Sequence, residues 1–507
     1  MSSLQARIEM LAVYAYAGLL VALMSLWMAF GAVKRLCQGK CCREARPRAL
    51  VEAAWHAATR CEEDPDSPAT RKSMVTSAGV KASWLELGSP GEGPLAVLIH
   101  GFPDHARSWL GTMQVLRSLG FCAVAVDLRG YGESGAPDPA SGAVYDARAG
   151  AEDVLEVLAA VQRRQATTPA LKPLLVGHDL GGQVAWLLAT EHASSFSACV
   201  IAASPHPALA RANVSASQVV RSFYIPLLNL PSLAVPFLRA NGARRVGGAL
   251  AETRSLSDVA GPTAAALRCS DGSTAPPPPA TLPAGSEALA PALVPASTAA
   301  RAFARKAVCT VLDAASLRHL REEFSRPGRV AAALGWYRGL LAPESRARMA
   351  SLALPEHGGV AVSLPLANLA AEYDLALGPE LVAGTRRVAP HGASAVVPRA
   401  SHWLPLERPG SIVGAALELL LWAGHVGSLP ARAAAVARSP LGHPDGSAAM
   451  LAPDAPLPDG TVHFVDTGHG LIAPLVLPRS ETADDVTAVR AALRSGLREA
   501  LRPPRSK

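Results

Sequence analysis

The chain has 507 residues, more than one compact domain usually contains, so a core domain with insertions and tails is expected. Half of its residues are hydrophobic, but only 18% are charged and 5% are aromatic, so parts of this chain are not expected to pack into a core. The net charge of +7 is not accompanied by a nucleic-acid motif or by a basic patch interleaved with aromatic residues, which excludes a nucleic acid as the predicted partner.

An uncharged run from Met10 to Val33 is longer than the ~20 apolar residues that a bilayer-spanning helix requires. We predict a single-pass transmembrane helix here, with a cleaved signal peptide as the alternative. Basic residues follow the run from Lys34 to Arg48, whereas only Arg7 precedes it. The positive-inside rule therefore predicts a catalytic body on the cytosolic side of a membrane, which we expect to be the endoplasmic reticulum, and an N-terminus in the lumen.

The eight cysteines are too dispersed for a disulfide framework, and a cytosolic body would keep them reduced. Cys37, Cys41 and Cys42 lie beside the predicted membrane helix among basic residues, where either reversible palmitoylation or unmodified thiols are expected. No spacing of cysteines and histidines matches a zinc site. We therefore predict no metal and no cofactor.

Hydrophobic periodicity predicts an α/β body. Residues 74–87 alternate loosely, as an opening hairpin does, and short apolar runs then alternate with helical stretches such as 148–162. These runs begin near Leu95, Phe121, Leu174 and Cys199. That order predicts a mostly parallel sheet with crossover helices.

After residue 207 the pattern becomes helical, which we interpret as a cap inserted over the C-terminal edge of the sheet. A Pro/Ala-rich stretch near 271–297 is expected to be a disordered excursion of the cap. The terminal stretch places Val486, Val489, Leu493 and Leu497 on one helical face. The predicted parts are an anchor with its basic flank (1–49), the first part of the core (50–206), the cap (207–358), the second part of the core (359–425), and a mostly disordered tail with a candidate terminal helix (426–507).

The motif Gly177-His178-Asp179-Leu180-Gly181 follows the apolar run at Leu174 and opens a predicted helix. The two glycines allow a sharp turn that exposes the central side chain, the arrangement called a nucleophile elbow. A carboxylate there is ionised at neutral pH and can attack carbon without a general base, but the resulting ester must later be hydrolysed. The alternative is an Asp that only caps the helix.

Two downstream residues complete a candidate catalytic triad with Asp179. Asp374 and His402 follow Asp179 in the order nucleophile, acid, base, which is the order of the α/β-hydrolases, and His100-Gly101-Phe102-Pro103 follows the run at Leu95. On these motifs the chain resembles the membrane-anchored epoxide hydrolases of the α/β-hydrolase superfamily. The resemblance covers roughly residues 51–423 and is strongest over 97–207.

The resemblance implies an α/β-hydrolase fold with a mostly parallel central sheet and a helical cap, and an enzyme that adds water to an epoxide to give a vicinal diol. Asp179 would form the ester, His402 would activate the hydrolytic water, and Asp374 would orient the imidazole. The backbone N–H groups of Phe102 and Leu180 would form the oxyanion hole. The pocket residues implied are His100 and Pro103, which would shape the oxyanion turn with Pro103 as a candidate cis peptide, and Trp109, which would line the pocket floor.

The alkoxide released by ring opening is costly in an apolar site unless a donor meets it, and the family carries a pair of cap tyrosines for this purpose. Residues 221–227 resemble the segment of the first tyrosine, and residues 324–328 followed by 335–339 resemble that of the second. We therefore assign Tyr224 and Tyr337 to this role. For either one alone, core packing is the competing interpretation.

Two positions depart from the family pattern. Leu180 stands where these hydrolases usually have a tryptophan; since the oxyanion donor is a backbone N–H, we expect activity to survive, with a wider pocket. The acid segment, usually Trp-Gly-x-x-Asp, reads Leu369-Ala370-Ala371-Glu372-Tyr373-Asp374. We assign Asp374 as the acid of the triad, with Glu372 as a neighbouring carboxylate that could be mistaken for it.

Other functions stay open at this point. A haloalkane-type dehalogenase shares the Asp-His-Asp chemistry but needs indole donors for a halide, and Leu180 removes one of them. A non-catalytic, membrane-tethered binding protein is the alternative of a different class. A serine esterase is disfavoured because no Gly-x-Ser-x-Gly follows a strand, and Ser134 lies in a loop. The expected partners are a small lipophilic epoxide, water and the lipid bilayer.

Overall fold

The computed structural model describes residues 69–141, 144–165, 171–222, 224–239, 251–255, 306–398, 400–438, 461–466, 472–476 and 483–500. The predicted membrane helix, Cys37, Cys41 and Cys42, and the Pro/Ala-rich stretch at 271–297 lie outside these ranges. Within them, no helix is both long and apolar enough to cross a membrane.

Twelve strands form two sheets in the described part of the chain. They are β1 (Thr70–Val75), β2 (Lys81–Leu87), β3 (Leu95–Ile99), β4 (Cys122–Asp127), β5 (Leu174–His178), β6 (Ala198–Ala202), β7 (Ala251–Ser255), β8 (Lys306–Asp313), β9 (Leu366–Ala371), β10 (Gly392–Val397), β11 (Thr461–Asp466) and β12 (Ile472–Val476). The main sheet has the order β1-β2-β4-β3-β5-β6-β9-β10. β2 alone runs in the opposite direction to the other strands of this sheet, so the sheet is mostly parallel, as predicted.

The central strands are fully buried because helices cover both faces of the sheet. The helices are α1 (Leu110–Ser118), α2 (Ala147–Gln162), α3 (Leu180–Glu191), α4 (Pro207–Ala212), α5 (Ala216–Arg221), α6 (Tyr224–Leu228), α7 (231–239), α8 (Ala314–Ser325), α9 (Arg329–Leu341), α10 (Pro343–Arg348), α11 (Leu404–Glu407), α12 (Pro409–Trp422), α13 (Ala431–Arg438) and α14 (Ala483–Ala500). One apolar cluster joins α2, α3 and the cap helices to the sheet, and a second joins α1, α12 and α14 to its other face.

The C-terminal helix α14 packs onto the core rather than standing apart in the tail. Its predicted apolar face is buried against α12 and β10. Arg490 and Arg494 of this helix bind the buried carboxylate of Glu418 on α12, with N–O distances of 2.6 and 2.5 Å. A buried carboxylate needs such partners, so these ion pairs set the position of α14 on the core.

The cap differs from the expectation of helices alone. Strands β7 and β8 fall within residues 207–358 and pair with each other, and β8 also pairs with β11 from the tail, giving a four-stranded antiparallel sheet of order β12-β11-β8-β7. The tail therefore contains strands as well as its terminal helix. Local periodicity missed this sheet because its pairing joins segments far apart in sequence.

Candidate active site

Asp179 occupies a strained turn between β5 and α3. Its backbone has φ 51° and ψ −119°, a left-handed conformation that is costly for a residue other than glycine. A Cβ on Gly177 would lie 2.5 Å from the carbonyl oxygen of Gly181, so only glycine allows the turn to close this tightly. The Asp179 side chain makes no capping hydrogen bond to α3, which argues against a purely structural helix cap.

The carboxylate of Asp179 points instead at the turn that follows β3. Its Oδ1 accepts a hydrogen bond of 2.9 Å from the backbone N–H of Phe102, and its Oδ2 lies 3.6 Å from Nε2 of His402. Burial alone would raise the pKa of this carboxyl, but the imidazole of His402 and the Phe102 N–H outweigh burial and hold the pKa below its ordinary value. Asp179 is therefore an anion at neutral pH, with 15% of its side chain exposed.

His402 lies between two carboxylates. Its Nδ1 is 2.8 Å from Oδ2 of Asp374, and the other oxygen of Asp374 accepts hydrogen bonds of 2.8 Å from the backbone N–H groups of Ala376 and Leu377. Burial would lower the pKa of His402, but the charges of Asp374 and Asp179 raise it well above its ordinary value. Glu372 is exposed, so Asp374 is the carboxylate that the fold presents to the imidazole.

Two tyrosines of the cap stand over Asp179. Tyr224 lies on α6 and Tyr337 on α9, with ring centroids 6.3 Å apart in an edge-to-face arrangement, and the ring of Tyr337 also packs edge-to-face on Phe102 at 5.2 Å. Burial raises the pKa of both phenols. They remain protonated at neutral pH and can therefore donate hydrogen bonds into the space above the carboxylate.

Asp179, Tyr224 and Tyr337 line one cavity of about 500 Å³ between the sheet edge and the cap. Most of its other lining side chains are apolar: Leu180, Pro205, Pro207, Ala210, Ile225, Leu340, Leu341, Met349, Ala350, Leu352, Ala353 and Leu377. A cavity of this size and character suits a small organic ligand with few polar groups.

The residues predicted to shape the pocket lie behind it. His100 is fully buried; its Nδ1 lies 2.8 Å from the carbonyl oxygen of Gly101, and its Nε2 accepts a hydrogen bond of 3.1 Å from the N–H of Leu128. The peptide bond between Phe102 and Pro103 is cis, as predicted. Neither His100 nor Pro103 lines the cavity. They support the turn that carries the Phe102 N–H.

The expectation for Trp109 needs correction. Its side chain is completely buried in the apolar cluster on the other face of the sheet, together with Met113 and Leu116 of α1. It does not line the cavity. The turn at Ala106–Trp109 leads into α1, and the buried face of that helix takes the indole away from the catalytic edge.

Sequence reasoning assigned no role to two buried groups beside the site. The Nε2–H of His178 donates a hydrogen bond of 2.8 Å to the carbonyl oxygen of His402, and so supports the loop that carries His402. Asp104 is buried between the hydroxyl of Ser108 and the N–H of His105, and burial raises its pKa to about 7. His178 stands inside the motif around Asp179 and Asp104 directly follows Pro103, but only the folded arrangement reveals their contacts.

In the described ranges, no group of three or more histidine, cysteine or acidic side chains is placed to hold a metal ion. What the residues can do is covalent chemistry: an anionic nucleophile, a base paired with an acid, and two neutral donors, all around one cavity.

The chain is similar in sequence to known hydrolases. Residues 94–225 match the model of the alpha/beta hydrolase fold family. Epoxide hydrolase A of Mycobacterium tuberculosis is 30% identical to the chain over 360 residues, which cover 68% of this chain and 96% of that protein. The chain belongs to the epoxide hydrolase family.

Two other known proteins are also similar to the chain. The AB hydrolase superfamily protein YfhM of Bacillus subtilis is 26% identical over 332 residues, covering 65% of this chain and 91% of that protein. Among solved structures, the crystal structure of epoxide hydrolase A from Mycobacterium thermoresistibile has 25% identity and a TM-score of 0.48, covering 70% of this epoxide hydrolase family member and 98% of the solved chain.

Proposed function

We propose that the protein hydrolyses epoxides to vicinal diols through a covalent ester on Asp179. The observation that carries the proposal is the shared cavity, in which an ionised carboxylate faces two neutral phenols. In the first step Oδ2 of Asp179 attacks a ring carbon and the bond from that carbon to the ring oxygen breaks. The oxygen is met by the hydroxyl groups of Tyr224 and Tyr337, one of which supplies its proton.

The second step is hydrolysis of the ester. His402 removes a proton from water, which attacks the ester carbonyl of Asp179, and the Phe102 and Leu180 N–H groups stabilise the oxyanion. The ester C–O bond then breaks and His402 protonates the diol oxygen that it frees. The second proton of the water is left on the Asp179 carboxyl and passes to the tyrosinate formed during ring opening, which restores the starting state of the enzyme. The ester carries no charge, so its formation removes one of the two anions that raise the pKa of His402 and makes the imidazole available as a base.

The epoxide reaction fits the cavity better than the dehalogenase alternative does. A halide needs N–H donors such as indoles, and the lining residues include no tryptophan, with Leu180 directly after the nucleophile. Phenolic hydroxyl groups can give a proton to an oxygen leaving group, which a halide does not require. The non-catalytic alternative leaves the strained turn at Asp179 and its alignment with His402 without a purpose.

A single turnover in heavy-oxygen water tests the proposal. With enzyme in excess over an aryl epoxide, the first diol formed should carry unlabelled oxygen from Asp179, and mass spectrometry of the Asp179 peptide should find the heavy isotope. Asp179→Asn should abolish diol formation. Glu152→Gln, which removes an exposed carboxylate on α2, is the matched control and should behave as wild type. Label in the first diol and none in the peptide would favour direct attack by water.

We also propose that the substrates are lipophilic and that residues 10–33 anchor the protein in a membrane with the hydrolase domain cytosolic. The apolar lining of the cavity and the uncharged run with its basic flank support this. Alkaline carbonate extraction of cell membranes, followed by protease digestion of sealed microsomes, tests it. Release of the full chain by carbonate, or protection of the domain from protease, would contradict the anchor or its orientation.

A further inference from the structure

The loop that carries Asp374 is contacted from the cap by one buried side chain. Gln218 lies on α5, and its amide makes hydrogen bonds with two backbone groups of the loop. Its Nε2 donates to the carbonyl oxygen of Ala376 at 2.8 Å, and its Oε1 accepts from the N–H of Gly378 at 2.7 Å. The Nε2 also donates to the hydroxyl of Ser222 at 2.9 Å. Both hydrogens of the amide and its oxygen are therefore used.

Gln218 and Asp374 contact opposite ends of one peptide group. The carbonyl of Ala376 and the N–H of Leu377 belong to the same planar unit, in which they point in opposite directions. The N–H of Leu377 donates a hydrogen bond of 2.8 Å to Oδ1 of Asp374. A donor on the carbonyl polarises the peptide group and strengthens the hydrogen bond that its N–H makes. Gln218 therefore fixes the direction of the bond that orients Asp374 and increases its strength.

Side-chain packing contributes little to the position of this loop. Tyr373 and Leu375, on either side of Asp374, are 41% and 60% exposed. The backbone before Asp374 is joined to the core by a hydrogen bond of 2.9 Å from the N–H of Tyr373 to the carbonyl of Ala400. The backbone after Asp374 is joined to the cap by Gln218. The donors that orient the triad acid are therefore held from the cap.

We infer that Gln218 is a positioning residue for ester hydrolysis, which acts through Asp374 on His402. This rests on the proposed epoxide hydrolysis and adds a residue to its second step. Oδ2 of Asp374 lies 2.8 Å from Nδ1 of His402, so a shift of the loop moves the imidazole relative to the water that attacks the ester. Attack by the carboxylate of Asp179 needs no base, so ring opening does not depend on Gln218 in this scheme.

Gln218→Met tests the inference, because methionine keeps the size of the side chain and removes its hydrogen bonds. Rapid-quench single turnovers of an aryl epoxide give separate rates for ester formation and ester breakdown. We expect breakdown to slow by about ten-fold with formation unchanged, because a misplacement of about 1 Å costs about 100-fold and the loop retains its other contacts. In the steady state, kcat and KM should then fall together while kcat/KM stays constant. A smaller folded fraction would instead lower kcat and kcat/KM and leave KM unchanged.

Asn213→Leu is the matched control. Asn213 also joins the cap to this segment, but its Nδ2 donates to the carbonyl of Ala383 at 2.8 Å, beyond the backbone groups that hold Asp374. Both rates of this variant should equal those of the wild type. Gln218→Asn, whose amide is one methylene too short to reach both backbone groups, is the second test variant and should also accumulate ester.

Wild-type rates of ester breakdown in both Gln218 variants would overturn the inference, as would loss of the folded state in both. Slower ring opening without accumulated ester would overturn it too, because Gln218 would then act through Ser222 on the nearby Tyr224. Failure of the proposed function is a separate result: no diol and no ester on Asp179 in the wild type.

Discussion

Gly101→Ala should impair ring opening more than it impairs folding. A Cβ at residue 101 would lie 2.3 Å from Oδ1 of Asp179 and 2.7 Å from its Cγ, far inside van der Waals contact. Restoring a separation of about 3.5 Å requires the carboxylate or the oxyanion turn to move by about 1 Å. Such a shift would break the hydrogen bond of 2.9 Å between Asp179 and the Phe102 N–H, and misplacement of this size costs about 100-fold in rate.

Single-turnover kinetics with an aryl epoxide measure the effect directly, because the first step reports the attack of Asp179. Thermal unfolding of the same samples gives the folding cost, expected at about 1–3 kcal/mol for a local overpacking. Gly427→Ala is the control, since a Cβ there meets nothing within 4 Å. If Gly101→Ala opened the ring at the wild-type rate, attack from the observed position of the carboxylate would be refuted.

Three further outcomes follow from the contacts in the site. His402→Gln should open the ring yet accumulate ester on Asp179, which intact-protein mass spectrometry detects; normal turnover without an adduct would remove His402 from the mechanism. Tyr224→Phe and Tyr337→Phe should each slow ring opening by a factor on the order of 10 to 1,000, and chloride release from a chloroalkane that is indifferent to both changes would instead favour dehalogenation. Burial lowers the pKa of His206 to about 4 in the folded protein, whereas the pKa of this histidine in the unfolded chain is about 6.5. The neutral, buried His206 therefore contributes its full stability above about pH 6.5, and this stability is lost as the pH falls toward 4, because the unfolded chain binds the proton more tightly. Between about pH 7.5 and pH 5 the unfolding free energy of wild type in urea should therefore fall by about 2 kcal/mol more than that of His206→Gln, and equal losses would contradict the assignment.

The sequence predicts a structural feature correctly where residues close together in the chain determine the geometry of that feature. The elbow at Asp179 is built from glycines two residues away on either side, so a short motif contains most of the information needed to place the side chain. Buried apolar runs such as Leu95–Ile99 likewise identify central strands of a sheet covered on both faces. The buried apolar face of α14 could be predicted for the same reason, because helical periodicity is a local property of the sequence.

Contacts between segments that lie far apart in the chain could not be predicted from the sequence. Strand β8 pairs with β11, about 150 residues further along the chain, and each is short and only weakly patterned alone. Trp109 illustrates the same limit at a smaller scale. Its distance from the oxyanion turn in sequence is short, but the direction of its side chain depends on how α1 packs against the sheet, and that packing directs the indole into the core.

Sequence position alone does not distinguish Asp374 from Glu372 as the partner of His402, because the two carboxylates stand two residues apart after the same strand. What separates them is how each is held. The turn after β9 offers the N–H groups of Ala376 and Leu377 to Oδ1 of Asp374, which leaves Oδ2 directed at His402, whereas Glu372 is exposed. Two backbone donors can orient the shorter side chain without the tryptophan and glycine that usually precede this acid in the family. The divergent segment is therefore compatible with a triad, because the turn that follows Asp374 provides the orientation.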